Sequence, residues 1–302
     1  MKRAQIEVPA TSANLGPGFD CLGLALNIVD TVTIEPAPDA VESYLHGAED
    51  LGIDRRRNLI CRAYNAWAKD AGTTLPAARF QLESRIPIGK GLGSSAASIV
   101  AGLAAARYVA DEKDGLARML RLAGRLEGHA DNTTAALLGG LTVALTDGAE
   151  VRAINAANHF SFGIALFIPL EGLRTTHARS ALPGTVPHHD AAFNVARAAY
   201  LLACLMWGRW EDVGIAMEDR LHQPYRAKLI PALPELIKAA RANGAYGAAL
   251  SGGGPSVIAF GPPERAEEFG AAMERSAGQQ GWPGSAAVTS VRHLGVQVKP
   301  LT

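Results

Sequence analysis

The chain has 302 residues, 48% of them apolar and 19% charged, with 29 Lys plus Arg against 29 Asp plus Glu. That length allows one large or two modest domains, each able to bury a core without disulfide staples, while balanced charge without a dense basic run gives a nucleic-acid partner no footing. Cys21, Cys61 and Cys204 are scattered without CxxC spacing, which argues against a disulfide framework or zinc site and fits a reducing cytoplasm.

The opening residues run from Met1-Lys2-Arg3 into a β-like stretch, Ala4–Pro9, with no signal-peptide core. A polar, Gly-rich segment follows from Thr11 to Asp20, then a second strand over Val29–Pro36. Apolar residues at helical spacing (Leu59, Ile60, Ala63, Trp67) predict a helix over 58–71 with Asn58 as its N-cap. Arg79–Ile86 alternates as a strand with Phe80, Leu82 and Ile86 inward. Helices are expected over Ser95–Val109 and Leu116–Leu126, a strand over Gly140–Leu145, and a turn at Gly148-Ala149-Glu150. The domain boundary is placed just after that turn, giving domains 1–153 and 154–302.

In the second half, Phe162–Pro169 reads as a strand and Ala191–Leu205, Trp210–Asp219 and Leu233–Ala242 as helices. The apolar run Ala198–Trp207 is far short of the roughly 20 residues a membrane span needs. Tyr246–Leu250, Gly252–Pro255 and Val257–Phe260 read as strand, Gly-rich turn and strand. A helix over Glu264–Ser276 and a strand over Ser290–Gln297 complete an α+β class in two domains.

The chemistry concentrates in Pro87-Ile88-Gly89-Lys90-Gly91-Leu92-Gly93-Ser94-Ser95-Ala96-Ala97. Glycines at alternate positions let backbone N–H groups close around an anion, and the helix that follows turns its positive end toward it. Lys90 precedes the serines by four places, so this is no Walker A loop. Gly89, Gly91 and Ser94 lack the third glycine of a dinucleotide fingerprint. A phosphate chain bound here carries Mg²⁺, for which Ser95 (or Ser94) and one carboxylate suffice. Glu127 is the candidate carboxylate.

Five segments in order resemble a known family. Pro9-Ala10-Thr11-Ser12-Ala13-Asn14-Leu15-Gly16-Pro17-Gly18-Phe19-Asp20-Cys21-Leu22-Gly23 is similar to the first motif of homoserine kinases. Gly91-Leu92-Gly93-Ser94-Ser95-Ala96-Ala97 resembles the ATP loop of the wider GHMP kinase superfamily, and Leu250-Ser251-Gly252-Gly253-Gly254-Pro255-Ser256 its C-terminal glycine motif. Glu127–Asn132 and Met217–Arg226 resemble the homoserine branch in particular. Departures occur at Ala130, where the family commonly has Pro, at Thr133-Thr134-Ala135, and at Gly253.

The resemblance implies a two-domain GHMP kinase fold: an N-terminal domain like ribosomal protein S5 domain 2 and a ferredoxin-like C-terminal domain. It implies a cytoplasmic homodimer that uses ATP and Mg²⁺ to phosphorylate L-homoserine in threonine biosynthesis, with no nucleic-acid or membrane partner. ATP would lie on Pro87–Ala97 with Asn58 near the adenine, and Ser95 and Glu127 would hold the metal. Asn14, Asp20, His129, Asn132, Thr175, Arg179, Arg226 and Gly254 would meet the amino acid. Asp20 and Asn132 would orient its hydroxyl while Lys90 or Arg179 neutralise charge; Asn132 has no proton-accepting side chain, so general-base chemistry from that position is excluded.

Other polar features read as structural. His188-His189-Asp190 is expected to be a solvated loop, His177 and His222 local hydrogen-bonding residues, Asp54-Arg55-Arg56-Arg57 a solvated turn, and Trp207 and Trp210 helix-packing residues.

Overall fold

The computed structural model describes residues 3–37, 42–46, 58–157, 162–173 and 175–301. The expected turn at 54–57 lies outside them. In chain order the first part contains β1 (Ala4–Asn14), β2 (Gly18–Pro36), β3 (Glu42–His46), α1 (Leu59–Ala71), β4 (Ala78–Glu83) and α2 (Ser94–Val109). It continues with α3 (Leu116–Glu127), α4 (Asp131–Leu138), β5 (Leu141–Asp147) and β6 (Glu150–Ala157). The second part contains β7 (Gly163–Pro169), α5 (Thr175–Ser180), α6 (His188–Trp207), α7 (Val213–Ala216), α8 (Gln223–Arg226) and α9 (Leu233–Ala242). It closes with β8 (Gly247–Leu250), β9 (Val257–Gly261), α10 (Ala266–Gln279), β10 (Gly284–Thr289) and β11 (Gln297–Pro300).

Two sheets result. The first runs β11-β1-β2-β4-β3, with β5 pairing β2 and β6 pairing β5. Its apolar face (Ile6, Leu24, Ile34, Phe80) packs with Trp67 of α1 and the Ala-rich α2 in one core. Close helix contact depends on Gly102, where a Cβ would meet the Ile60 carbonyl at 2.2 Å. The second sheet, β10-β7-β9-β8, is antiparallel, and α9 and α10 cover it with Leu236 and Phe269 over Phe167. β6 of the first sheet ends at Ala157 and β7 of the second begins at Gly163, and β11 returns to pair with β1.

Local chemistry explains the agreements and the differences. Asn58 caps α1 by accepting from Ile60 N and Cys61 N, as its position suggests. The polar, Gly-rich segment 11–20 is strand on both sides of a tight turn, with Asn14 and Leu15 at φ 69° and 49°. Gly16 sits where a Cβ would fall 2.2 Å from the Met217 carbonyl. The turn at 148–149 joins a hairpin whose second strand, β6, includes Glu150.

Trp210–Asp219 is not one helix. A 3-10 turn over Trp210–Asp212 leads into α7, which stops because Asp219 turns back to accept from the N–H groups of Leu221, His222 and Gln223. His188–Asp190 forms the first turn of α6 instead of a loop. The final strand is 297–300, not 290–297, because that segment crosses between the sheets and only Val291 bridges to Leu26. Trp210 stacks on Tyr246, whereas Trp207 is 74% exposed. No helix among the described residues is long and apolar enough to cross a membrane.

Candidate active site

The α2 N-terminus, the α3–α4 junction, the β1–β2 turn and the glycine turn after β8 meet around one cleft. Its first wall is the loop before α2. Gly89, Gly91 and Gly93 have φ of 70°, 73° and 74°, separated by residues of ordinary φ, so successive N–H groups line a concave strip ending at Ser94 and Ser95. Asp30, buried on β2, holds the loop's entrance by accepting from Arg85 N at 2.6 Å and Ile86 N at 2.9 Å. Gly91 is pressed against the second domain, where a Cβ would meet Ser251 O at 2.4 Å.

The second wall comes from the end of α3 and the start of α4. Ser95 Oγ donates to Glu127 Oε1. Burial raises the Glu127 pKa above the ordinary carboxylate value, although the Ser95 hydroxyl and the charge of His129 pull it down. His129 Nδ1 lies 2.6 Å from Asp131 Oδ1. Burial works to lower the His129 pKa, but the bond to Asp131 and the charges of Asp131 and Glu127 outweigh it, and the result is a rise. Asn132 N donates to the same Asp131 oxygen at 2.8 Å.

The third wall binds opposite charges together. Asp20, with φ 56°, donates its N–H to Asn14 Oδ1 at 3.0 Å and takes a bidentate contact from Arg179 at 2.7 and 2.9 Å. The hydrogen bond to Asp20 raises the Arg179 pKa further. Arg226 is only 2% exposed and, among the described residues, makes no ion pair with a carboxylate. It donates to Gly252 O (3.1 Å), Ala178 O (3.3 Å) and His222 Nδ1 (3.1 Å). His222, fully buried, reaches Gly16 O through Nε2 at 2.7 Å, and burial lowers its pKa, so it is a neutral imidazole supporting the guanidinium. Burial and the nearby Arg179 lower the pKa of Arg226 itself. A buried cation without a counter-ion is an open site for an anion.

The cleft thus unites Asn14, Asp20, Gly89, Gly91, Gly93, Ser94, Ser95, Glu127, His129, Asn132, Arg179 and Arg226. Other expected residues lie elsewhere. The Asn58 side chain is spent on capping α1, Leu92, Ala96 and Ala97 are buried in the core, and Pro87 and Ile88 do not line the cleft. The Lys90 ammonium donates to Leu170 O at 2.5 Å, and burial lowers its pKa. Gly254 packs toward Ile230 and Leu250, leaving Gly252 and Gly253 on the cleft instead. The Thr175 side chain lies outside the described residues. Asp131, Leu173, Gly252 and Gly253 line the cleft without having been singled out, although three of them lie inside motifs that the sequence displays.

Hard oxygen donors suit Mg²⁺, which needs few protein ligands, and Ser95 with Glu127 supplies such a pair beside the loop. A second cluster, Asp20, His129 and Asp131, has ligand atoms within 4.8 Å of one another. Its imidazole suits a transition metal better, and both Asp20 oxygens are engaged by Arg179.

The raised Glu127 pKa has a thermodynamic signature. The native chain holds this proton more tightly than the unfolded chain, whose carboxyl titrates near 4.5. The stability so gained is full below that value and is lost as pH rises through the higher native pKa. Urea unfolding in EDTA across this window is expected to show a flatter pH dependence for Glu127→Gln than for the parent. Equal slopes would remove Glu127 as the titrating group.

Comparison with known proteins adds an independent line. Residues 58–140 match the GHMP kinases N terminal domain, and residues 189–280 match GHMP kinases C terminal. The chain is 40% identical over 296 residues to a homoserine kinase of Desulfitobacterium hafniense, covering 97% of this chain and 99% of that one. It is 42% identical over 265 residues to a homoserine kinase of Caldanaerobacter subterraneus, covering 87% and 85%. A crystal structure of homoserine kinase from Cytophaga hutchinsonii superposes with a TM-score of 0.89 at 27% identity, over 99% of this chain and 98% of that one.

Proposed function

Because the chain belongs to the homoserine kinase family of the GHMP kinases, we propose that it transfers the γ-phosphoryl group of ATP to the side-chain hydroxyl of L-homoserine. The products are O-phospho-L-homoserine and ADP, and the reaction is a step in threonine biosynthesis. One observation carries the chemistry: an anion cradle and a pair of arginines with a carboxylate lie in the same cleft. That arrangement suits a polyphosphate at one end and a zwitterionic amino acid at the other.

The loop Gly89–Ser95 cradles the phosphates with backbone N–H groups and the positive end of α2. Ser95 and Glu127 would hold Mg²⁺, which would supply neutralisation of phosphate charge. Arg226 and Arg179 receive the α-carboxylate, for which their planar forks are matched. Asn14 and His129 bound the amino acid, and Asp20 grips its hydroxyl. The hydroxyl oxygen bonds to the γ-phosphorus as the bond to the ADP oxygen breaks, and the hydroxyl proton, directed at Asp20, is released from there to water. A loose transition state needs positioning more than a strong base, consistent with Asn132 at the centre. Release of Asp20 from Arg179 as the charged substrate enters belongs to the same reading.

The wider reading includes a cytoplasmic homodimer of two-domain subunits. Its support is free thiols at Cys21 and Cys204 and the exposed apolar residues Val195, Tyr200, Met206 and Trp207 of α6.

The deciding experiment is ADP release with Mg²⁺-ATP against homoserine, serine, threonine, mevalonate and shikimate. Turnover with homoserine alone is the expected result. Turnover with another alcohol would keep the ATP site and discard the amino-acid pocket, and silence with all five would leave a nucleotide-binding protein without transfer activity. Asp20→Asn is expected to lower kcat by about 10²-fold, the scale of losing a charge-assisted contact to the reacting group. Near-normal turnover would remove Asp20 from the chemistry.

A further inference from the structure

An asparagine amide presents a donor at one end and an acceptor at the other, and only its partners decide which end faces where. Two partners of Asn132 agree. Thr11 Oγ1, fully buried on β1, donates to Asn132 Oδ1 at 2.8 Å. On the other flank, Asp131 Oδ1 accepts the Asn132 backbone N–H and lies 3.5 Å from Nδ2, a position that attracts an NH₂ group and repels an amide oxygen. Oδ1 is therefore turned back toward the core, and Nδ2 is the end of the amide left for the cleft that Asn132 lines.

We propose that Thr11 is a positioning residue for phosphoryl transfer, holding the Asn132 amide so that its N–H donates to the acceptor hydroxyl. This rests on the homoserine kinase reading and adds to it. A hydroxyl oxygen has two lone pairs and one proton. The Asn132 N–H occupies one lone pair, the proton points to Asp20, and the remaining lone pair is free to attack phosphorus. With the amide reversed, Oδ1 would compete for the hydroxyl proton and leave the attacking lone pair undirected. The phosphate loop crosses directly over the pair: a Cβ at Gly93 would lie 1.9 Å from Thr11 Oγ1 and 3.3 Å from Asn132 Oδ1. The controlling hydrogen bond is thus beneath the loop that carries the phosphates.

The test is a double-mutant cycle on the full chain with Thr11→Val, Asn132→Ala and their combination, alongside Thr11→Ser. Thr11→Val is expected to lower kcat by about 10- to 30-fold, the scale of one buried hydrogen bond to a working group, with KM for homoserine and ATP changed less than about threefold. Thr11→Ser, which keeps the hydroxyl, is expected to stay within about threefold of the parent. In the Asn132→Ala background Thr11→Val should have no further effect. An equal loss in both backgrounds, or full activity of Thr11→Val, overturns the proposal, and urea unfolding of each variant separates a folding defect from a lost orientation. If the parent phosphorylates another alcohol, the reading of the amino-acid pocket fails, and the cycle is run on that alcohol so the two failures stay distinct.

Discussion

Arg226→Met is expected to lower kcat/KM for homoserine by about 10²–10³-fold while leaving global stability nearly unchanged. The two effects separate because of how Arg226 is buried. Its guanidinium is 2% exposed and meets two backbone carbonyls and a neutral imidazole, all uncharged. Truncating one partner of a buried, hydrogen-bonded charge pair costs about 2–5 kcal/mol, and in the complex that loss falls on the substrate carboxylate. In the free protein the methionine leaves up to three acceptors unserved, at about 1 kcal/mol each, but relieves a desolvated cation that makes no ion pair among the described residues, worth several kcal/mol in the opposite direction. Calorimetric titration with homoserine and urea unfolding of the same samples check both halves. A large loss of stability would mean Arg226 is structural, and unchanged homoserine affinity would remove it from the binding site.

The second large effect is expected at Gly93. With φ 74°, any other residue there costs about 1–2 kcal/mol in backbone strain alone. The 1.9 Å approach of a Cβ to Thr11 Oγ1 cannot be tolerated, so the loop must shift away from the amide of Asn132. Gly93→Ala is expected to weaken binding of a non-hydrolysable ATP analogue by about 10²-fold and lower kcat/KM by about 10³-fold, since misplacement on the ångström scale is costly in phosphoryl transfer. Gly89 is the internal control. Its φ is 70°, yet a Cβ there meets nothing within 4 Å, so Gly89→Ala carries the backbone strain without the collision. Equal losses at the two positions would mean loop flexibility, rather than the Thr11–Asn132 packing, sets the ATP site.

The parts of this fold that were legible in the sequence are those with a local signal. Asn58 ahead of an amphipathic run announces a capped helix, Phe80, Leu82 and Ile86 alternate inward, and the glycines at 89, 91 and 93 announce a backbone cradle. Helix α4 was hidden because Asp131, Asn132, Thr133 and Thr134 are all buried, which leaves no polar face to reveal its period. The 3-10 turn before α7 is only three residues long, and β6 is the return strand of a tight hairpin with β5 that begins within the residues read as turn. At the site, the motifs named most residues of the cleft, but spacing says nothing about where a long side chain ends. Lys90 sits in the phosphate loop and still spends its ammonium on Leu170. Gly254 belongs to a glycine motif whose two preceding members, not itself, face the cleft.

The pairing of β11 with β1 also governs how the molecule is made. Glu7 lies opposite Gln297 and Ala4 opposite Pro300, so one edge of the first sheet is completed by residues translated nearly 300 codons later. On the ribosome, the phosphate loop and its helix can form early, but β1 keeps an unpaired edge until the second domain has been synthesised. The window of exposure is longest for the strand that ends in the first motif. A pause anywhere between the end of β2 and β11 should therefore lengthen the time that edge is open to aggregation.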